Sequence, residues 1–146
     1  MEKNVAKRVY HTGINVSDMD RSLGFYVDLL GCEVISDAEV SGENVDKGLG
    51  LKEGGFRQVY LRVGPDEIEL FQYRSGMQTD KTIYQDASGI GIRHICFVVD
   101  GLEETYIDLS AKGYQFVSEP ISNPDGVKWV FLKDPDNYYV ELVELP

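Results

Sequence analysis

The chain has only two histidines, His11 and His94, and each opens a hydrophobic run that reads as a strand. Each is answered further on by a glutamate in a second such run, Glu69 and Glu141. His94 follows His11 by 83 positions, and Glu141 follows Glu69 by 72. Two imidazoles and two carboxylates form a donor set for a divalent cation. Mixed N and O donors suit Zn, Ni, Co, Mn or Fe(II), and two carboxylates balance the charge of the ion. Four protein ligands on an octahedral ion leave two positions open for water or substrate, as a catalytic site requires. Taken alone, any one of these residues reads as a structural histidine or a solvated edge glutamate. Their joint placement favours the metal.

The elements that must position them repeat. Segment 8–16, RVYHTGINV, alternates as a strand, with His11, Gly13 and Asn15 on one face. Ser17 with Asp20 predicts a helix start, and Met19, Leu23, Tyr26, Val27 and Leu30 form one apolar stripe closed by Gly31. CEVISDAEV reads as a strand and 41–55 as a loop. FRQVYLRV, a turn at Gly64-Pro65-Asp66 and EIELFQY read as a hairpin. The second half follows the same order: RHICFVV as a strand, then Asp100 with Glu103 as a helix start. Leu102, Tyr106 and Leu109 form the stripe, Gly113 the stop and YQFVSEP a strand. VKWVFL and YYVELVEL then make a hairpin around Asp134-Pro135-Asp136-Asn137. The pattern is β-α-β-β-β twice, an α+β chain of one domain, with module one at 8–74, a linker at 75–91 and module two at 92–146. The final strands carry their glutamates on largely apolar faces, where an unpaired carboxylate is costly and a cation offsets the cost.

Bulk properties limit the partners. The chain has 146 residues, 42% hydrophobic and 27% charged, an ordinary globular composition for one domain. A formal net charge of −11 repels polyanions, so no nucleic-acid partner is expected. No segment resembles a secretory signal or a membrane span, so no membrane partner is expected and the expected location is cytoplasmic. Cys32 and Cys96 stand outside any CxxC spacing and read as buried, reduced thiols. Cys96 shares the face of His94 and is expected to be a small hydrophobe, neither ligand nor nucleophile. Arg57, Arg62, Arg74 and Lys128 are candidates for an anionic substrate group, with surface charge the stronger reading. Phe71, Tyr73 and Trp129 are candidates for pocket walls or for core.

HTGINVSDMDRSLGFYVDLLGCEV resembles the opening of glyoxalase/bleomycin-resistance/dioxygenase proteins, the vicinal oxygen chelate superfamily. RHICFVVDGLEETYIDLSAKGYQF and FLKDPDNYYVELVE resemble its second module. The resemblance covers nearly the whole chain and is most specific at DPDNYYVELVE. It implies two βαβββ modules forming an incomplete barrel around a metal site, a homodimer, and a small-molecule substrate. The His, Glu, His, Glu set is similar to that of bacterial glyoxalase I, a lactoylglutathione lyase. That implies one divalent ion at His11, Glu69, His94 and Glu141, acting as a Lewis acid on an α-hydroxycarbonyl or hemithioacetal through an enediolate. Glu141 or Glu69 would carry the proton, with Glu141 preferred. Two positions depart from that enzyme: Asn15 stands where an arginine usually helps hold glutathione, and Tyr73 where an asparagine usually stands. The alternatives are an enzyme like methylmalonyl-CoA epimerase, whose relatives often carry Gln at the position of Glu69, and a non-catalytic small-molecule binding or resistance protein of the same fold. A ring-cleaving oxygenase would require redox-active iron.

Overall fold

The computed structural model describes residues 8–52, 54–74, 88 and 91–146. The chain divides into two compact units, Met1–Gln78 and Thr79–Pro146. The expected linker lies almost wholly outside the described residues.

In the first unit, β1 (Thr12–Asn15) leads into α1 (Met19–Leu23) and its π-helical continuation Gly24–Leu29, then β2 (Glu33–Val40), α2 (Glu43–Leu49), β3 (Phe56–Val63) and β4 (Asp66–Tyr73). The sheet order is β1-β4-β3-β2. β1 runs parallel to β4 with Gly13 opposite Glu69, and the other pairings are antiparallel. In the second unit, β5 (His94–Val98), α3 (Leu102–Ala111), β6 (Ile121–Ser122), β7 (Lys128–Lys133) and β8 (Tyr139–Glu144) give the order β5-β8-β7-β6. β5 runs parallel to β8 with Cys96 opposite Glu141. The two units thus share one α+β topology, each built on an open four-stranded sheet.

Alternation divides each sheet into a core face and a second face that carries the glutamates among aromatic and polar residues. In the first unit Ile14, Val59, Leu61, Ile68 and Leu70 are buried with Met19, Phe25 and Tyr26 of the helical segment. In the second, Phe97, Val130, Leu132, Val140 and Leu142 are buried with Leu102 and Leu109. Non-polar burial on these faces supplies the main folding force. The residues between them, among them both glutamates, point the other way.

Several local expectations are corrected. α1 is capped by Asp18, whose Oδ1 accepts from the Arg21 N–H at 3.0 Å, and not by Ser17. Ser17 Oγ instead accepts from the Arg21 guanidinium at 2.8 Å. The helix stripe shifts as well. The wider π turn, in which the Leu30 N–H reaches back to Phe25 O, brings Phe25 and Tyr26 into the core and leaves Leu23 and Val27 half-buried. α2 lies inside the expected loop; acidic residues in its first turn and Lys47 in its last favour it, and Gly50 ends it in the left-handed conformation. All its residues are on the surface, so no apolar stripe announced it. YQFVSEP is not a strand: it makes one bridge, Phe116 to Leu132, before Pro120, which lacks an N–H, interrupts pairing ahead of β6. Gly31 and Gly113 do end their helices, at φ 76° and 88°.

The start of α3 is also corrected. Asp100 does not cap it. Gly101 takes the N-cap position at φ 69° with no side-chain bond, and the orphan N–H of Leu102 donates to Glu144 Oε2 of β8 at 2.6 Å. The first unit uses the same device: the Met19 N–H donates to Gln72 Oε1 of β4 at 2.8 Å. Each helix is therefore capped by the residue three places after the glutamate in the last strand of its own unit. The cations repeat too. Arg57 pairs with Asp20 at 2.7 Å and with Asp37 at 2.7 Å, and Lys128 pairs with Glu103 at 3.0 Å and with Glu144 at 3.3 Å.

The Glu144 carboxyl is held below the usual carboxylate range, first by the Leu102 N–H and then by Lys128. Its contribution to stability is therefore full above the ordinary carboxylate pKa of about 4.3 and fades as pH falls through the lower folded value. Glu144→Ala is expected to lower the urea midpoint at neutral pH and to converge on wild type in acid. Gln72→Ala should cost about 1 kcal/mol, typical of a lost helix cap, at every pH. Urea titrations at pH 7 and pH 3 distinguish the two.

Candidate metal centre

Parallel pairing of the first and last strand in each unit brings a histidine beside a glutamate. In the first unit His11 Nε2 lies 2.9 Å from Glu69 Oε2, and in the second His94 Nε2 lies 3.3 Å from Glu141 Oε2. Within neither unit do the described residues gather three or more His, Cys, Asp or Glu in a cluster able to hold a metal. The structure gives two His–Glu pairs, one per module.

Each pair rests on a repeated aromatic support. Tyr60 lies directly opposite Glu69 in the β3–β4 register, and Phe131 directly opposite Glu141 in β7–β8. His11 meets the Tyr60 ring edge-on with centroids 5.8 Å apart, and His94 meets Phe131 in the same way at 5.2 Å. Edge-to-face contact fixes a ring plane without using its nitrogens. His11 Nδ1 is buried with no hydrogen-bond partner among the described residues. Packing and Nε2 therefore set this ring's position, and Nε2 is the nitrogen aimed at the carboxylate.

The donors fit a cation. Two ligands bound at about 2.1 Å lie about 3.0 to 3.4 Å apart at octahedral to tetrahedral angles; the His94–Glu141 separation of 3.3 Å is of this size, and the His11–Glu69 separation of 2.9 Å, also a hydrogen-bond length, lies just below it. The Glu69 side chain is only 5% exposed, and a carboxylate so buried requires compensating positive charge or donors. Imidazole and carboxylate together suit the borderline divalent ions.

The two pairs have different surroundings. Glu69 Oε1 accepts from the side-chain amide of Gln58. Burial, then a hydrogen bond to Glu69, pushes the Tyr60 hydroxyl up to about 12. Glu141 is 21% exposed at its side chain, and Cys96 is its neighbour across the parallel pair. The expectation that Cys96 is buried is corrected: it is exposed, while Cys32 is buried. Desolvation, then the Glu141 charge, pushes the Cys96 thiol up to about 12, so it stays protonated at neutral pH and is no nucleophile. Burial likewise pushes Cys32 up to about 11.

The other candidates divide by sheet face. Arg57 and Lys128 are engaged in the ion pairs above, on the faces away from the glutamates. Arg74 pairs with Glu39 at 2.5 Å, and Arg62 stands 4.0 Å from Glu33. Phe71 and Tyr73 lie on the Glu69 face and form an aromatic cluster with Phe56. Trp129 lies on the Glu141 face against Phe131, its indole N–H donating to Asn123 at 3.3 Å. Asn15 is exposed at the end of β1. Sequence reasoning missed Gln58 and Tyr60; their alternation with Val59 and Leu61 was visible, but a glutamine and a tyrosine in a strand announce no partner.

A family model for the Glyoxalase/Bleomycin resistance protein/Dioxygenase superfamily matches residues 8–142. The chain belongs to this superfamily. It is 31% identical to a lactoylglutathione lyase of Schizosaccharomyces pombe, across 93% of this chain and 47% of the relative, so it spans about half that protein's length. It is 29% identical to a probable lactoylglutathione lyase of Synechocystis, across 92% of each. It is 26% identical to human mitochondrial methylmalonyl-CoA epimerase, across 94% of this chain and 72% of the relative. Among solved structures, a glyoxalase family protein from Bacillus cereus superposes with a TM-score of 0.88 at 19% identity, covering 99% of this chain and 97% of that one. One from Enterococcus faecalis gives 0.69 at 27%, covering 94% and 98%. Among the described residues no helix is long and apolar enough to cross a membrane.

Since Arg57 turns away from the Glu69 face into its pairs with Asp20 and Asp37, Arg57→Met should leave KM for an anionic substrate within about twofold. The partly exposed pairs should cost under about 1 kcal/mol. Steady-state kinetics and thermal unfolding check both.

Proposed function

We propose that this protein is a divalent-metal-dependent lyase or isomerase of the glyoxalase type, moving a proton between adjacent carbons of an α-hydroxycarbonyl or hemithioacetal substrate. The observation that carries the reading is the duplicated His–Glu pair, set in each module by the same parallel strand pairing. Members of the superfamily commonly use a divalent metal, and relatives named as lactoylglutathione lyases support an enzyme. His11, Glu69, His94 and Glu141 would supply the ligands, one imidazole and one carboxylate from each module. When bound, the ion supplies Lewis acidity toward two vicinal substrate oxygens.

Within this reading Glu141 is the base. Its carboxylate is more exposed than that of Glu69 and stands farther from its histidine. It can leave that contact at lower cost, take a proton at Oε from the carbon next to the substrate carbonyl and return it to the neighbouring carbon. Glu69, buried and doubly engaged, stays in place. Tyr106 and Leu109, predicted stripe residues, belong to the helix behind the sheet and have no role in this chemistry.

A second reading, an epimerase acting beside a thioester carbonyl, is favoured by the human epimerase relative and uses the same proton transfer. Asn15 and Tyr73, which stand where residues that help hold glutathione usually stand, argue against a glutathione adduct.

Three outcomes test this reading. Purified protein reconstituted with Co, Ni or Zn should hold about one ion per chain, His11→Ala or His94→Ala should lose it, and metal at 100 times its Kd should stabilise wild type by about 2.7 kcal/mol. Elemental analysis finding no metal after reconstitution would sink the proposal. Glu141→Gln should retain metal and slow deuterium exchange into the substrate by about 10²–10⁴-fold; the same loss in Glu69→Gln alone would reverse the two roles. Turnover of the methylglyoxal–glutathione hemithioacetal should stay below a kcat/KM of about 10⁴ M⁻¹s⁻¹, the lower end of ordinary enzymes. A higher value would return glutathione to the substrate class.

A further inference from the structure

The registers of the first strand and the hairpin align the two modules position by position, and two facing positions differ at the site. Tyr60 and Phe131 are equivalent, each opposite its module's glutamate. Two places earlier on the same face, Gln58 in β3 is equivalent to Trp129 in β7. Gln58 donates its side-chain amide to Glu69 Oε1, while the other oxygen, Oε2, faces His11 Nε2 at 2.9 Å. Both carboxylate oxygens of Glu69 are thus engaged. Trp129 turns its single donor to Asn123 at 3.3 Å, and Phe131 has none. The amide that restrains Glu69 is thus replaced by apolar rings beside Glu141, where the remaining side-chain donor is the Cys96 thiol, a weak one.

We infer that Gln58 is a positioning residue, fixing the Glu69 carboxylate as a permanently held ligand and thereby leaving Glu141 as the glutamate free to move. The inference deepens the function proposed above and rests on it. A ligating carboxylate rotates easily about its last torsion. A hydrogen bond on the oxygen away from the histidine removes that freedom before the ion arrives, so ordering is already complete on binding. An amide suits the task because it donates without titrating, whereas a lysine would add charge and compete with the cation. Outer-shell donors of this type typically contribute 10- to 100-fold to metal affinity.

The test uses Co(II) as the probe, added to metal-free full-length protein and read by equilibrium titration and by the visible absorption of the bound ion. Gln58→Met keeps the length of the side chain and removes the donor; its Kd for Co(II) should rise at least about tenfold, with an altered absorption envelope. Gln58→Asn keeps the amide one carbon short and should fall between, and it serves if the Met variant fails to fold. In the Glu69→Gln background, Gln58→Met should cause little further loss. In the Glu141→Gln background it should cause the full loss, a coupling that a merely structural effect would not produce. Wild-type affinity and spectrum in both Gln58 variants would overturn the inference and leave the proposed function standing. Equal losses in the two glutamate backgrounds would do the same. Failure of wild type itself to bind Co(II), Zn or Ni would overturn both.

Discussion

The parallel alignment of the first and last strand in each module is the constraint from which the site follows. A parallel pair cannot be closed by a tight turn; it requires a long crossover. Here the crossover carries the helix that covers one face of the sheet and the strands that complete it. The register then fixes Gly13 opposite Glu69 and Cys96 opposite Glu141, which brings the histidine two residues earlier, His11 just ahead of β1 and His94 at the start of β5, to the side of the glutamate. A slip of one residue would send the imidazole or the carboxylate to the core face. The core residues Ile14, Ile68 and Leu70 in one unit, and Phe97, Val140 and Leu142 in the other, hold that register by the hydrophobic cost of any slip.

Capping uses the same strands. Gln72 and Glu144 follow their glutamates by three positions, so they fall on the core face, where the helix N-terminus ends. Their bonds to Met19 and Leu102 tie the start of each helix to the strand that bears the candidate ligand. Arg57 and Lys128, across the ladder from Gln72 and Glu144, extend the tie to acidic residues of the first helical turn. The polar network on one face is therefore structural, and the polar residues on the other are available for chemistry. Strand alternation separates the two uses with no domain of either kind.

This division also explains what was legible in the sequence. Strand alternation with buried Val, Leu and Ile revealed both hairpins and both first strands. The repeat of element order revealed the pairs His11–Glu69 and His94–Glu141 as equivalents. The long-range caps were not legible, because Gln72 and Glu144 are remote in sequence from the N–H groups they satisfy; the local cap of α1, Asp18, stands next to the expected Ser17. α2 was hidden for a related reason: with no buried residue it has no apolar period, and Gly48 within it mimics a loop. YQFVSEP carried a strand's composition, but pairing depends on what lies beside it, and only Phe116 meets β7 in register.

Duplication gives two similar pairs, and the proposed proton transfer would assign them different roles: one carboxylate that holds and one that gives way. Two identical glutamates would compete for both roles. The frame that makes the pairs similar is backbone register, which side-chain replacement leaves intact. The positions that make them differ, Gln58 against Trp129 and Tyr60 against Phe131, are facing side chains on β3 and β7 whose neighbours in the strand, Val59 and Val130, remain buried in the core. Such positions can exchange donors for apolar rings without moving a strand. The fold thus permits the two halves to diverge in chemistry while the pairing that creates the site is kept, and the dissimilarity is concentrated where it changes how firmly a carboxylate is held.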